Sequence, residues 1–420
     1  MSSQPEDYLR TLDSVRERCY SVYEKVQENK LDYFNVDETK LEQIIQEVEE
    51  ITRERFGVSL NSIPPHSRLN HFGNNRLEDL REKWQTVDAL EQTRRWIDLV
   101  LVSVLVDAGA GQAWKYTTNE GQTIGRSEGL AIASLDMFLD GYFSSDTVVK
   151  DRVDGLEKLT TDIISQGFQV SSSNPLVGLE GRSNLLKKLA TVLTNQDTYF
   201  KRGDSIRPGH LVDYLLDKSS GDKTINVNDI WEIVMSLAPM WPARITINNI
   251  PLGDVWPCTC LEDKGNYENL VPFHKLSQWL TYSLIDALQQ SSLGIKINGI
   301  EKMTGLPEYR NGGLLVDFGL LKLKPNHLQR GLQYAQEQNM NDSNVPLFDG
   351  NDPLIVEWRA LTVVYLDKIH LGIQKSLNQK LSLTQVLEAG TWNAGRKIAA
   401  KLRPADGGPP IAIKSDGTIF

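Results

Sequence analysis

The sequence predicts a mainly α-helical globular protein of many helices, with a minor β element in its C-terminal half. Apolar residues recur at three- and four-residue steps through most of the chain, which is the spacing of one face of a helix. The composition is 40% hydrophobic and 24% charged, so the 420 residues suffice to bury a sizeable core. Stretches of strand type are few and short, which favours helical packing over a large sheet.

Two amphipathic helices are predicted at the N-terminus, where they form a helical hairpin over residues 1–60. Each carries one apolar stripe that must face a partner, because an isolated helix gains little stability by itself. The stripe of the first helix is Leu9, Leu12, Val15, Cys19, Val22 and Val26, and that of the second is Leu41, Ile44, Val48 and Ile51.

Prolines 64 and 65 break this pattern, and a series of helices is predicted to follow as far as residue 240. Gly109 and Gly111 end one of these helices, a placement that favours a C-terminal stop over a phosphate-binding loop. The predicted helices cover residues 77–85, 90–107, 126–139, 156–166, 183–193, 209–218 and 228–237.

The second half of the chain adds the β elements. Pro353 suits the first turn of a helix, because its fixed φ and missing N–H cost nothing there. The predicted elements are a strand at 245–250, a helix at 272–289, a second strand at 314–317, helices at 354–369 and 383–402, and a hairpin around Asp416-Gly417 in the tail.

We expect one continuous helical body over residues 61–420, with sub-lobes at 61–240 and 241–420, because no Ser/Gly/Pro-rich linker or charge block divides it. The N-terminus lacks the basic and apolar regions of a signal peptide, and the longest apolar run, 99–106, is too short to span a bilayer. These features predict a cytoplasmic or nuclear protein that has no membrane partner.

Net charge and cysteine usage exclude several classes of function. The net charge of -10 argues against nucleic acid as a partner, since phosphate contacts need a basic surface. Three cysteines, Cys19, Cys258 and Cys260, cannot form a disulfide framework, and a single Cys-x-Cys pair has no second pair for zinc. Phosphate-loop, dinucleotide and His-Glu-x-x-His signatures are missing, so we predict no cofactor and no metal.

Two polar segments of the first half are candidates for substrate binding. Residues 65–72 carry Arg68 and His71, which could clamp a phosphate or a carboxylate, although ordinary surface chemistry also explains them. Arg126 and Glu128 flank a serine that can cap the helix after it, and capping alone could account for that segment.

Two further segments lie in the second half. On the helix that begins near Pro272, His274, Lys275 and Gln278 are spaced to share one side, and a solvated face is the structural alternative. Residues 357–367 are apolar nearly all round, so Glu357 and Arg359 must be paired or functional, because desolvating a charge is costly. Glu357 could simply pair with Arg359 or with another arginine.

Six motifs are long enough to be specific: His66-Ser67-Arg68 with His71-Phe72, Trp114-Lys115-Tyr116, residues 126–131, 253–256, 271–279 and 409–418. Over nearly the whole chain they resemble the uracil-catabolism protein four family. The resemblance implies a role in the use of uracil as a nitrogen source, beside a cyclohydrolase-like ring-opening enzyme and a uracil phosphoribosyltransferase.

A shorter similarity bears on mechanism. Residues 274–280 resemble the Lys-Arg-Ala-Gln helix of the queuosine-salvage nucleoside hydrolases, and Glu357-Trp358-Arg359 resembles their Asp-Tyr-Arg, with Glu in place of Asp. Those proteins are helical, have a DNA-glycosylase-like fold and cleave a base from ribose. The similarity implies the same fold here and the hydrolysis of an N-ribosyl bond in a riboside or ribotide.

Such hydrolysis needs a fixed carboxylate near the anomeric carbon and a proton for the departing nitrogen. Glu357 is the candidate carboxylate, while Asp254 could hold ribose hydroxyls or share the acid–base work. Lys275, Gln278 and His274 could bind the leaving group or a phosphate, with Trp256 as an apolar wall. Arg359, Arg68, His71, Arg126 and Glu128 complete the predicted substrate-binding set.

Two other functions stay open. A ureido-amide hydrolase would need a nucleophile with a base, or a metal, and the Cys-Thr-Cys pair and scattered histidines supply neither. A non-catalytic regulatory or scaffold protein would expose apolar patches, whereas an enzyme would gather the four polar segments into one concave pocket. The sequence carries no signal of the oligomeric state.

Overall fold

The structure, a computed structural model, describes residues 4–107, 109–111, 113–219, 221–241, 243–340 and 344–414. Within these ranges helices dominate and the strands form only two-stranded pairs, which confirms the predicted mainly α fold. The chain divides into two compact units. None of the helices in the described ranges is long and apolar enough to cross a membrane.

Unit 1 is built around one long buried helix, Pro353–Leu377, which we call the central helix. Asp352 caps its N-terminus, and its apolar residues on all sides require packing partners all round. The two predicted N-terminal helices, Leu12–Gln27 and Leu41–Phe56, pack against it. The other helices of unit 1 are Pro5–Leu9, Tyr309–Asp317, Pro325–Glu337, Leu383–Val386 and Trp392–Leu402, with a π-helical segment at Leu387–Thr391.

The described part of unit 1 also contains four short strand pairs. Three are antiparallel: Phe34–Val36 with Leu321–Leu323, Val255–Pro257 with Leu270–Pro272, and Thr246–Ile247 with Ile250–Pro251. One is parallel: Leu347–Asp349 with Ala412–Lys414.

Unit 2 comprises Ser67–Pro242 and Trp279–Ile300. Its buried helix Ala89–Leu105 contacts Arg126–Leu139 and Leu179–Asn195. Its other α-helices are Asn74–Lys83, Thr161–Gly167, Asp197–Phe200, Leu211–Lys218 and Val227–Ser236. Its strand pairs are Lys115–Thr117 with Thr123–Gly125, Lys201–Arg202 with Ser205–Ile206, and Thr224–Asn226 with Lys296–Asn298. Helix Lys275–Gln289 begins in unit 1 and continues in unit 2.

Two of the predicted β elements differ from the structure, and a third lies partly outside the described residues. Residues 314–317 were expected to form a strand, but they end the helix Tyr309–Asp317. The strand expected at 245–250 is a hairpin of two-residue strands, because Asn248 and Asn249 both have positive φ and reverse the chain. In the tail, Ala412–Lys414 forms a strand, and the Asp416-Gly417 turn lies outside the described residues.

Candidate active site

A buried ion pair between Asp254 and Arg359 is the centre of the candidate site in unit 1. The side chain of Arg359 extends from the central helix. It donates from Nη1 and Nη2 to the two carboxylate oxygens of Asp254, at 2.8 and 2.7 Å. Its guanidinium also lies over the Phe273 ring, 4.0 Å from the ring centroid. The Arg359 side chain is 1% exposed and that of Asp254 is 23% exposed, so Asp254 is the more accessible member of the pair.

Two further donors fix the Asp254 carboxylate. The indole Nε1 of Trp256 donates to Oδ1 at 2.6 Å, and the backbone N–H of Lys275 donates to Oδ2 at 3.0 Å. Asp254 precedes the strand Val255–Pro257, whose partner strand leads directly into helix Lys275–Gln289. Burial opposes ionisation, but Arg359 and these donors outweigh it and hold the Asp254 pKa well below its usual range. Asp254 is therefore a rigid, permanently ionised group.

His274 lies beside this carboxylate in a strained backbone conformation. Its φ is 47°, a left-handed value that few side chains adopt without compensation. Its Nε2 lies 2.8 Å from the carbonyl oxygen of Leu9, an acceptor, so Nε2 carries the proton. Burial lowers the His274 pKa, and the ring is neutral near pH 7.

Gln278, one helical turn further on, is buried and fully engaged with backbone and side-chain partners. Its Nε2 donates to the Phe273 carbonyl at 3.0 Å and to Thr304 Oγ1 at 2.8 Å. Its Oε1 accepts from the Thr304 N–H at 2.9 Å. These bonds orient the loop that carries Phe273 rather than leaving the amide free for a ligand.

Glu357 is also fully buried, with partners of a different kind. Its carboxylate accepts from three consecutive backbone N–H groups, those of Asp32 at 2.8 Å, Tyr33 at 2.9 Å and Phe34 at 3.0 Å. Burial raises the Glu357 pKa to about 6 although these amides favour the charged form. Glu357 and Arg359 are two positions apart on a helix, so they leave it on nearly opposite sides.

The structure thus brings together Asp254, Arg359 and Trp256 with the backbone of Lys275, and it places Glu357 on another side of the central helix. Sequence reasoning missed one acid nearby, Glu308. Its pKa is raised, chiefly by burial, and the charge of Lys275 acts against that shift. Its carboxylate caps helix Tyr309–Asp317, and the sequence carried no usual capping signal, because Glu is not among the preferred N-cap residues.

The remaining predicted residues, Arg68, His71, Arg126 and Glu128, belong to unit 2. Arg68 is completely buried and pairs with Asp107 at 2.8 Å, and its Nη1 lies 3.1 Å from Nδ1 of His71. Arg126 is exposed and begins helix Arg126–Leu139, while Glu128 is partly buried in its first turn.

Unit 2 also contains a cavity of about 460 Å³ that none of the predicted site residues lines. Its walls combine apolar and hydroxyl side chains with Arg152, Asp154, Glu157 and Asp204. Arg152 and Asp154 pair with each other at 2.8 Å. Sequence reasoning gave no indication of this cavity, because its polar residues are scattered over several short loops.

No group of three or more His, Cys, Asp or Glu side chains suited to a metal ion occurs among the described residues. The three cysteines are free thiols, as the sequence predicted, and the Sγ atoms of Cys258 and Cys260 lie 3.5 Å apart.

Comparison with known proteins identifies the family. Residues 8–420 match the family described as "Protein of unknown function (DUF1688)". The chain is 42% identical over 436 aligned positions to "Uracil catabolism protein 4" of Lachancea kluyveri, with 99% of each chain covered. It is 40% identical over 432 positions to "Protein urg3" of Schizosaccharomyces pombe, with 100% of each chain covered. The chain therefore belongs to the DUF1688 family, and the resemblance to uracil-catabolism protein four that its motifs predicted is confirmed.

Proposed function

We propose that this protein acts in uracil catabolism and hydrolyses the N-glycosidic bond of a uracil-derived riboside, such as ribosylurea or its 5-phosphate. The name of the relative from Lachancea kluyveri supports the pathway. The single observation that carries the chemistry is the Asp254 carboxylate, which is ionised, held by four hydrogen bonds and partly exposed.

A ribosyl C–N bond breaks through a state in which positive charge develops on the sugar ring. A fixed anion beside the anomeric carbon stabilises that charge without reorganising at the moment of reaction. Asp254 has these properties, and Trp256 and Phe273 supply flat apolar surfaces beside it. Between the two carboxylates that the sequence suggested, we assign this role to Asp254, because Glu357 is enclosed.

The departing nitrogen needs a proton, which Asp254 cannot supply because its pKa is too low. We assign proton donation to Glu308, a partly exposed residue whose carboxyl pKa is raised, chiefly by burial. Two carboxyl groups with pKa values displaced in opposite directions are the usual division between stabilising anion and general acid. Binding of the ureido group or a phosphate by His274 and Lys275 stays a prediction, and the Nε2 atom of His274 already bonds the Leu9 carbonyl.

The test is hydrolysis by the purified protein of ribosylurea, its 5-phosphate, uridine and uridine monophosphate, with free urea, uracil and reducing sugar measured. We expect urea and ribose, or ribose 5-phosphate, from one of the first two compounds. Removing Asp254 alone would strand the buried Arg359 charge and cost about 3–5 kcal/mol of stability. The double variant D254N/R359M removes both charges, and we expect it to fold and to lose at least about a hundredfold in kcat.

A matched control uses the bidentate pair between Arg403 and Asp317 of the same unit, at 2.9 and 2.6 Å. The variant D317N/R403M loses an equivalent ion pair and should keep its activity. E308Q keeps one acceptor for the helix cap and should lower kcat by about a hundredfold or more, since it removes the proton donor. The proposal fails if none of the four compounds is cleaved, or if folded D254N/R359M is as active as D317N/R403M.

A further inference from the structure

A sharp strand-to-helix turn in unit 2 presents a serine. The strand Thr123–Gly125 leads without a linker into the 14-residue helix Arg126–Leu139. Arg126, at the turn itself, has a φ of 57°, which strains a residue with a Cβ. The sequence across the turn is Gly125-Arg126-Ser127-Glu128-Gly129, the Gly-x-Ser-x-Gly pattern that places a nucleophilic serine on a strained turn between a strand and a helix.

Gly129 is needed for the close approach of helix and strand, whereas Gly125 mainly faces a flexible lysine side chain. A Cβ on Gly129 would lie 2.6 Å from the carbonyl oxygen of Ile124, in the preceding strand. A Cβ on Gly125 would lie 3.1 Å from the Lys115 side chain on the partner strand. The motif therefore occurs at a strand-to-helix turn, which is the structural context that this motif requires, and not in a loop.

The Ser127 hydroxyl has one cationic donor and two acceptors around it. Arg68 Nη1 donates to Ser127 Oγ at 2.9 Å, which stabilises negative charge on that oxygen. Ser127 Oγ donates to Asp107 Oδ1 at 2.6 Å, and His71 Nδ1 lies 3.1 Å away. The N-terminal end of the helix further favours an alkoxide at this position.

His71 is suited to take the proton. The guanidinium of Arg68 can only donate, and its Nη1 lies 3.1 Å from His71 Nδ1, so Nδ1 carries no proton and its lone pair faces both Arg68 Nη1 and Ser127 Oγ. Ser127 and His71 are both partly exposed, whereas Arg68 beneath them is completely buried. A substrate can therefore approach the hydroxyl and the imidazole from the solvent side.

If this cluster served only to neutralise the buried Arg68 charge, it would not need all of these features. Arg68 already has Asp107 at 2.8 Å and Ser103 Oγ at 2.8 Å. Neutralising it requires neither the strained turn at Arg126 nor a partly exposed imidazole in contact with the serine.

We propose that Ser127 is a nucleophile that accepts an acyl or carbamoyl group, with His71 as its general base. Oγ attacks the carbonyl carbon, and its proton, which the resting hydroxyl directs to Asp107, turns towards Nδ1 of His71 and passes to it. The bond from that carbon to the leaving nitrogen or oxygen breaks, and the leaving group takes the proton. Water, deprotonated by His71, then cleaves the ester on Ser127, releases the acid and restores the hydroxyl. This activity is separate from ribosyl cleavage and uses none of the unit 1 residues.

The test is covalent labelling of the full-length protein with an alkyl fluorophosphonate, in which Ser127 Oγ bonds to phosphorus and fluoride leaves as HF. We expect one label per chain by intact mass, on the peptide that contains Ser127. S127A should abolish the label, and H71F, which keeps an aromatic ring, should slow labelling by about a hundredfold or more. S145A, which removes an exposed serine hydroxyl of the same unit, should label at the wild-type rate.

The thermal melting of each variant is measured alongside, so that loss of fold is not mistaken for loss of reactivity. If S127A does not fold, the position of the label on the wild-type chain still decides the question. The proposal is overturned if the native protein labels no faster than the denatured chain, if the label lies on another residue, or if folded H71F labels at the wild-type rate.

Discussion

Glu357 and Arg359, two buried charges on the central helix, are compensated by partners of different kinds. The apolar surroundings of Glu357 and Arg359 predicted that both charges must be compensated. The partner of Arg359 is Asp254, 105 positions away, and the partners of Glu357 are backbone amides more than 320 positions away. Pairing of Glu357 with Arg359, one of the open alternatives, does not occur because the two side chains leave the helix on nearly opposite sides.

The sequence predicted some residues of the candidate site but not their contacts. Asp254, Trp256 and Lys275 were chosen for their polar and aromatic character, and the structure places them together. Arg126 and Glu128 were predicted to bind substrate, with capping by Ser127 as the alternative. The N-cap is instead Gly125, and no side chain bonds there. The strained turn itself was missed, because a positive φ at Arg126 leaves no trace in the residue type. Contacts between distant residues cannot be derived from periodicity, which reports only the local face of an element.

Glu357 should make the stability of the protein depend on pH. Its pKa is raised from 4.5 to about 6 on folding, so the folded state holds this proton more tightly than the unfolded state. The contribution of Glu357 is therefore most favourable below pH 4.5 and declines as the pH rises to about 6. This rise in the Glu357 pKa corresponds to a change of about 2 kcal/mol in the free energy of unfolding. Relative to E357Q, we expect the wild-type free energy of unfolding to fall by about 1.5 kcal/mol of this change between pH 4.5 and 6.5 in urea titrations.

The control for this titration is E50Q, which changes an exposed glutamate of helix Leu41–Phe56 and should track the wild type. The prediction is wrong if the difference between wild type and E357Q is the same at every pH. The same variant separates the two carboxylates in catalysis. A stable E357Q without activity would transfer the catalytic role from Asp254 to Glu357.

Helix Tyr309–Asp317 shows where element prediction fails. Gly312 and Gly313 argue for a loop, and the short apolar run after them argues for a strand. In the structure the glycines allow close packing instead, because a Cβ on Gly312 would lie 2.9 Å from the Trp358 indole. Glu308 caps the helix with bonds to the N–H groups of Arg310 and Asn311, at 2.8 and 2.6 Å. Tertiary packing overrides the local propensity at this point.

Gly395 performs the same role in the helix Trp392–Leu402, which packs on Tyr309–Asp317. An added Cβ would lie 2.3 Å from the carbonyl oxygen of Arg310, and a backbone atom cannot yield cheaply. We expect G395A to lower the free energy of unfolding by about 1–3 kcal/mol. Gly181 is also helical but has nothing within 4 Å of its Cβ position, so G181A should stabilise by up to about 1 kcal/mol. If G395A and G181A changed the free energy of unfolding equally in urea denaturation, this account would be wrong.

At the scale of the whole molecule, the two compact units are interleaved along the chain. Unit 2 takes Ser67–Pro242, and after a return to unit 1 it takes Trp279–Ile300 as well. The chain passes into unit 2 for the second time inside helix Lys275–Gln289, between Gln278 and Trp279. A continuous helical pattern gives no signal at such a point, since linker composition, the usual sign of a boundary, is lacking there.

This arrangement makes unit 2 incomplete without its second segment. Within the unit, that segment supplies strand Lys296–Asn298, which pairs in parallel with Thr224–Asn226. It also supplies Ser283 Oγ, which accepts from the Arg68 N–H at 3.0 Å, and Ser291 Oγ, which lies 2.5 Å from Thr93 Oγ1. Without these partners, buried polar groups of the first segment would be unsatisfied, at about 1–3 kcal/mol each.

We therefore expect a fragment of residues 67–242 to lack cooperative unfolding, and a fragment of residues 67–300 to show helical circular dichroism and a cooperative thermal transition. The longer fragment carries residues 243–278 as an insertion, and replacing them with a flexible Gly/Ser linker should preserve the transition if unit 2 alone provides the stability. A cooperative transition in the shorter fragment would show that Trp279–Ile300 is dispensable. Loss of the transition on linker replacement would show that unit 2 does not fold by itself.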